Sequence, residues 1–159
     1  MATAPLASDG HVNCSPKGGD ALRVIGPRTV VYHDLTGSGV ETIAHLRENG
    51  RIVLMFCAFE DAPKIVRLHG LGALLSADHP EFASIRTHFP EHAGTRALIR
   101  VQVTRISDSC GFGVPLFEYT SERDALEQWS AARGSVKLDE YRREKNARSI
   151  DGLPGLEPR

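Results

Sequence analysis

Positions 28–50 of the chain read RTVVYHDLTGSGVETIAHLRENG, a β-prone run that leads through a glycine-rich turn into a helical pattern. The β-branched residues at its start favour a strand over 29–33. Ser38 followed by Glu41 has the spacing of a capping box. Apolar residues then recur on one helical face, at Val40, Ile43 and Ala44. Because Gly50 suits the position just after a helix, the pattern predicts a helix over about 39–49.

Two shorter β-prone runs come before this strand, at 11–15 and 21–25, and turn residues separate the three runs. This spacing predicts a meander of antiparallel strands. The Gly26-Pro27 link is so short that only a hairpin can join the runs on either side of it. We therefore expect the second and third runs to pair.

After the first helix, further strands are predicted at 51–60, 64–75, 97–106 and 115–119, with Gly70 and Gly72 as bends or bulges in the second. A short helix is expected over about 78–88. From Ser121 the pattern becomes helical, with one stretch ending at Gly134, a second over about 136–148, and an extended tail over 149–159. Six or seven strands with segregated helices predict a mostly β (α+β) chain. We expect one domain over 1–159, with its helical part at about 121–148.

The composition of the chain argues against several classes of function. The 159 residues carry 19 basic and 20 acidic side chains, a formal charge of −1, so we expect no nucleic-acid partner. The longest strongly apolar run, 52–59, is far shorter than a membrane-spanning helix, which predicts no membrane association. The first residues lack the pattern of a secretory signal, and three distant cysteines suit a reducing compartment. These features predict a cytoplasmic protein.

One segment has the chemistry of an anion site. Thr36-Gly37-Ser38-Gly39 places two hydroxyls and two glycines at the mouth of a predicted helix. Backbone N–H groups of a first helical turn, reached over glycines, can bind phosphate. The alternative is an N-cap preceded by a glycine-rich turn. No Gly-Lys-Ser/Thr follows as in a P-loop, and no cysteine or histidine spacing predicts a metal site.

The order of several motifs resembles the pyridoxamine 5′-phosphate oxidase-like flavoproteins. The matching runs are NCSPKG at 13–18, VYHDLTGS at 31–38 and NGRIVLMF at 49–56, with 64–72 as the next strand. The runs SCGFGVP at 109–115 and EKNARSIDGLPG at 144–155 are similar to an uncharacterised subgroup of that family. The resemblance implies a split β-barrel that binds FMN at a homodimer interface and acts as a flavin-dependent oxidoreductase.

The resemblance also implies which residues bind the cofactor. Lys17 stands where the family has a basic residue that faces the flavin ring edge or the phosphate. Tyr32 and His33 match a pair at the end of the strand, and Thr36, Gly37 and Ser38 match the phosphate turn. Ser15 and Thr42 complete the expected cofactor-binding set. Neither the catalytic residues nor the substrate can be predicted.

Three departures from the family pattern set this chain apart from the vitamin B6 oxidase itself. Glu41 stands where that oxidase has basic residues after the turn, so Lys17, Arg23, backbone N–H groups and the helix dipole are expected to meet the phosphate charge. The end of the chain also lacks the Arg-Leu-x-Pro signature that helps to hold pyridoxal phosphate, and the chain starts within the family's first strand. Two alternatives stay open on the same fold: a non-catalytic flavin or haem binding or storage protein, and a deazaflavin-dependent reductase.

Overall fold

A computed structural model describes residues 1–157, which form seven strands and three helices. The strands are β1 (Ala2–Thr3), β2 (Asn13–Cys14), β3 (Leu22–Gly26), β4 (Thr29–Leu35), β5 (Arg51–Cys57), β6 (Lys64–Leu75) and β7 (Thr95–Cys110). The helices are α1 (Glu41–Glu48), α2 (Phe82–Arg86) and α3 (Ala125–Lys145). All strand pairs are antiparallel and form one sheet in the order β2-β1-β5-β6-β7-β4-β3.

Strand β4 lies inside the sheet. Val31 pairs with Arg23 of β3 on one side and with Arg100 of β7 on the other, which confirms the predicted hairpin. Side chains of a strand alternate between its two faces. Tyr32 accordingly belongs to the larger apolar cluster, under α1, and Val31 to the smaller one, beside α2.

The predicted meander is wrong for the first run. Strand β2 pairs with β1, which in turn pairs with β5, so neither lies next to β3. The amino group of Met1 donates to the carbonyl of Ser15, and the N–H of Ser15 donates back to Met1, both at 2.9 Å. Because β1 is only two residues long and has no periodic pattern, this partner could not be predicted from the sequence.

Helix α1 begins two residues later than expected, and its capping box does not form. Val40 is the N-cap residue, and no side chain caps the helix. The Glu41 carboxylate instead accepts a hydrogen bond from the N–H of Ile150 at 3.3 Å, so the C-terminal segment engages it. Gly50 follows the C-cap with φ 71°, as expected of a glycine that ends a helix.

Strand β7 extends the prediction at both ends. Its C-terminal end pairs with β6 as far as Cys110, and its N-terminal end pairs with β4, where Leu35 lies opposite Thr95. The register shifts at Gly70, where a Cβ would lie 2.3 Å from the carbonyl oxygen of Gln102. Gly70 is thus the predicted bulge, whereas no shift occurs at Gly72. Strand β5 stops at Cys57 rather than residue 60, before the turn in which Asp61 takes φ 53°.

The strand predicted at 115–119 is absent from the described part of the chain. Pro115 has no N–H to donate to a sheet ladder. Only the N–H of Phe117 reaches a neighbouring backbone, at the carbonyl of Phe59. The segment therefore stays irregular.

The C-terminal part matches the prediction of two helical stretches. Gly134, with φ 68° and ψ 171°, breaks α3 at the expected residue, although α3 begins at Ala125 rather than 121. Helix α2 is shorter than the predicted 78–88. The tail folds back in a turn with Gly152 at φ 77°, and only Pro158 and Arg159 of the predicted extended tail lie outside the described residues. None of the helices within residues 1–157 is both long and apolar enough to cross a membrane.

Candidate functional site

A cleft of about 300 Å³ opens where β4 ends and α1 begins. Six of the eight predicted cofactor-binding residues line it: Ser15, Lys17, His33, Thr36, Gly37 and Thr42. Leu126 from the start of α3 adds an apolar wall. The six predicted residues lie as far as 27 positions apart in the sequence, and the fold brings them together. Of the two remaining residues, Ser38 is exposed beside the cleft and Tyr32 lies beneath it.

Tyr32 is part of the core and does not face the cleft. It is 2% exposed, and its hydroxyl has no hydrogen-bond partner among the described residues. Burial, and then the negative charge of Asp34, raise the pKa of this hydroxyl well above its usual value. The Lys17 Nζ atom lies 5.8 Å from the centre of the Tyr32 ring, so Tyr32 supports the lysine from below.

A buried carboxylate holds two cations beside the cleft. Asp34 is fully buried and accepts from Lys17 Nζ at 3.2 Å and from Arg96 Nε at 2.6 Å. The sequence analysis missed Arg96. Strand pairing is the signal that could have found it, because Asp34 pairs with Ala97 and the next position along β7 is Arg96. Arg23, which was expected to help with phosphate charge, instead pairs with Asp20 and does not line the cleft.

The glycine-rich turn is held from inside the protein. Arg96 donates to the carbonyl oxygen of Gly39 at 2.8 Å and to that of Gly37 at 3.4 Å. The side-chain amide of Asn146, on the C-terminal side of α3, donates to Gly37 at 2.9 Å and to Ser38 at 3.5 Å. Asn146 also accepts from Arg96 at 3.0 Å. The carbonyls of three successive residues therefore point toward one buried pair of side chains.

Thr36 anchors the start of the turn. Its hydroxyl donates to the carbonyl oxygen of Gly94 at 2.8 Å and accepts from Arg142 Nε at 2.9 Å. The N–H of Thr36 also donates to Gly94, at 2.7 Å. Because its hydroxyl is engaged on both sides, Thr36 fixes the turn rather than offering a free hydroxyl to a ligand.

His33 faces the cleft as a neutral ring with a defined tautomer. Burial, and then the charges of Arg86 and His92, lower the pKa of His33 to about 4. The Thr95 hydroxyl donates to the carbonyl of His92, so it accepts from His33 Nε2, which lies 2.7 Å away. The proton is therefore on Nε2, and Nδ1 is left as a hydrogen-bond acceptor.

The opposite wall of the cleft is formed by polar side chains that hydrogen-bond to one another. Ser15 donates to Asn13 Oδ1 at 3.1 Å, and Asn13 Nδ2 donates to the Thr42 hydroxyl at 3.0 Å. Thr42 therefore keeps its own proton for another acceptor. Glu41 also lines the cleft, with its carboxylate against Gly39, and brings a negative charge to the rim.

A larger cavity of about 570 Å³ shares Arg96 with the cleft. Two of its other three arginines face carboxylates of the same wall: Arg47 pairs with Glu157 at 3.2 Å and Arg142 with Asp139 at 2.9 Å. The cavity lacks the glycine-rich backbone that lines the smaller cleft. Among the described residues, no group of three or more histidine, cysteine, aspartate or glutamate side chains is arranged to hold a metal ion.

No protein-family model matches the chain. Among curated proteins, the chain is 39% identical over 165 aligned positions to a protein of Aspergillus flavus named pyridoxamine 5′-phosphate oxidase family protein ustO. The match covers 92% of this chain and 66% of that protein. The chain thus spans slightly less than two thirds of that relative.

Solved structures show the fold. A histidine-to-alanine variant of HupZ from Group A Streptococcus has a TM-score of 0.50 and 20% identity, covering 68% of this chain and 87% of that chain. A second HupZ structure has a TM-score of 0.48 and 19% identity, covering 66% and 80%. The first similarity confirms the expected split barrel.

Proposed function

We propose that this chain, which belongs to the pyridoxamine 5′-phosphate oxidase family, binds FMN in the cleft beside Asp34 and is a flavin-dependent oxidoreductase. The observation that carries the proposal is the glycine-rich turn, whose carbonyls are held inward beside two cations. A turn of this kind presents backbone donors to an anion.

The residues present fit the phosphate of FMN. A Cβ added at Gly37 would meet no atom within 4 Å, so the backbone is open at a residue that lines the cleft. Lys17 and Arg96 would supply positive charge, and the N–H groups of the turn would supply donors. Bound FMN would supply reversible electron and hydride transfer, which no protein side chain provides.

The rest of the cleft suits the polar parts of the cofactor. His33 would accept a hydrogen bond through Nδ1, and Thr42 would donate one through its hydroxyl. Lys17, 33% exposed and already paired with Asp34, would face the ligand from the other side. We expect these side chains to orient the cofactor and to exclude water from it.

We further propose that two copies of the chain form the complete site. A volume of about 300 Å³ is at the low end for a site that encloses a ligand of this size, so a second wall is needed. Large apolar side chains are exposed at the far ends of β5 and β7 and in the segment that follows β7: Met55, Phe56, Ile106, Phe112, Leu116 and Phe117. Exposed apolar side chains of this size are enriched at interfaces between chains, so we expect this end of the sheet to contact a second copy.

Titration of the purified full chain with FMN, followed by flavin fluorescence, tests the proposal. We expect binding at micromolar FMN or tighter. A preparation that is colourless and leaves added FMN fluorescence unchanged would sink it. Parallel titrations with haem and with a deazaflavin distinguish the alternative ligands, and oxidation of reduced FMN by a panel of acceptors distinguishes an oxidoreductase from a storage protein.

A further inference from the structure

We infer that Asn146 and Arg96 are positioning residues that set the anion specificity of the cleft, and that the C-terminal segment 146–156 is an integral part of the site. The inference rests on the proposed function and deepens it, because it names what makes the cleft select a phosphate-bearing ligand. It also gives a role to the run EKNARSIDGLPG, which the proposed function leaves unexplained.

Three peptide groups of the turn point in the same direction. The carbonyls of Gly37, Ser38 and Gly39 all accept hydrogen bonds from Asn146 or Arg96. A trans peptide unit is planar, with its N–H opposite its C=O. The N–H groups of the residues that follow each carbonyl, Ser38, Gly39 and Val40, therefore point away from Asn146 and Arg96.

These three N–H groups are available to a ligand. None of the three donates to a residue within 1–157. Gly37 and Gly39 line the cleft, so the turn that carries these donors borders it. Three successive N–H groups on one side of a turn form a concave donor site for an anion. Without the two inward-facing partners, nothing would fix this direction of the peptide groups.

The C-terminal segment holds Asn146 in place. Asn146 is fully buried, and its carbonyl accepts from the N–H of Leu156 at 2.8 Å. The N–H of Gly155 donates to the carbonyl of Ala147 at 2.9 Å. A Cβ at Gly155 would lie 2.3 Å from the Asn146 carbonyl oxygen and 2.8 Å from Val40, so only glycine allows the tail to approach this closely. The tail thus clamps Asn146 against the start of α1.

Helix α3 and its C-cap residue contact the turn through two side chains on one face. Arg142 and Asn146 are four residues apart, which places both side chains on the same side of the helix. Arg142 holds the Thr36 hydroxyl, and Asn146 holds the next carbonyls along the turn. The turn is therefore fixed from its first residue to its last by groups that themselves need not touch the ligand.

The variant that tests the inference is Asn146→Ala, with Asn49→Ala as its matched control. Asn49 likewise uses both ends of its side-chain amide, donating to the carbonyl of Ala4 and accepting from the N–H of Arg51, at the opposite end of α1. Each protein is titrated with FMN and with riboflavin, which lacks the phosphate. We expect Asn146→Ala to weaken FMN binding about tenfold, while riboflavin binding changes less than about threefold. Equal losses for both flavins, or the same loss in Asn49→Ala, would overturn the inference.

A measurement on the unaltered chain keeps the inference testable if Asn146→Ala does not fold. Inorganic phosphate is added in place of chloride at constant ionic strength, and backbone amide signals are followed by NMR. We expect the signals of Ser38, Gly39 and Val40 to shift most. If they do not shift, the inference is wrong even where FMN binds; if they shift and FMN does not bind, the inference stands and the proposed function fails.

Discussion

The carboxylate of Asp34 is the residue on which the charge balance of the cleft depends. It is fully buried and pairs with Lys17 and Arg96, so its loss would leave two cations without their counter-charge. We expect Asp34→Ala to lower the free energy of unfolding by about 3–5 kcal/mol. Urea denaturation measures this change.

The control is Asp20→Ala, which removes the partner of Arg23 at an exposed position. Surface ion pairs contribute about 1 kcal/mol or less, so this variant should unfold almost as the unaltered chain does. If the two variants lose the same free energy, the buried network does not hold the cleft together.

Among residues 1–157, Glu41 is the one acidic side chain that lines the cleft, and its charge opposes an anion there. We expect Glu41→Gln to tighten FMN binding about threefold to tenfold, because a charge at the rim is partly screened by solvent. Fluorescence titration checks this. The control is Glu48→Gln at the other end of α1, whose carboxylate accepts from Leu6 instead. Weaker FMN binding in Glu41→Gln would contradict the proposed phosphate position.

His33 makes the free energy of unfolding depend on pH between pH 4 and pH 6.5. Its pKa is about 4 in the folded chain against about 6.5 unfolded, so the unfolded chain binds the proton first. Its contribution is present in full above pH 6.5 and is lost as the pH falls from 6.5 to 4. Allowing for solvent screening, we expect a loss of about 2 kcal/mol in that window.

Urea denaturation between pH 4 and 7 measures this loss. His45 and His92 also have lowered pKa values and add to the same trend, so the comparison is with His33→Asn, in which the slope should become shallower. An identical slope in the unaltered chain and in His33→Asn would contradict the assigned role of His33.

At the scale of elements, the turn over 36–39 needs glycine at its second position because the ligand must approach the backbone there. We expect Gly37→Val to weaken FMN binding at least about tenfold with little change in melting temperature, since a Cβ at this position meets no protein atom within 4 Å. Gly113→Val is the control, because Gly113 is equally unobstructed and does not line the cleft. Normal FMN affinity in Gly37→Val would place the ligand elsewhere.

The elements differ in how well the sequence predicted them. Periodicity and turn residues were enough for β4, β6, α1 and the break at Gly134. Pairing with a distant segment determined the rest. Strand β1 exists only as the partner of β2 and β5, and the segment 115–119 makes a single backbone hydrogen bond, from Phe117 to the distant Phe59.

The site shows the same division. The local turn over 36–38 and the run at 13–18 identified most of the residues that line the cleft. Arg96 and Asn146 were missed because they lie 60 and 110 positions from Thr36 and reach the turn only through the β4–β7 pairing and the C-terminal helix. The Ser38–Glu41 capping box was wrong for a related reason, because the N–H of Ile150 engages the Glu41 carboxylate.

At the scale of the whole molecule, the exposed apolar side chains of β5 and β7 should lie between two copies of the chain. We expect Ile106→Asp, at a residue that is 64% exposed, to change the mass in solution from twice 17.3 kDa to a single copy and to weaken FMN binding. Light scattering after size exclusion measures the mass. Val136→Asp, on α3 and similarly exposed, is the control and should stay dimeric. A monomeric unaltered chain that still binds FMN would contradict the two-copy site.

The most direct measurement of the central claim is a crystal structure of the full chain grown with FMN. Our account predicts the phosphate within hydrogen-bond distance of the N–H groups of Ser38, Gly39 and Val40, with the Lys17–Asp34–Arg96 network intact beside it. A phosphate bound in the arginine-lined cavity, or an FMN that makes no contact with residues 37–40, would contradict it.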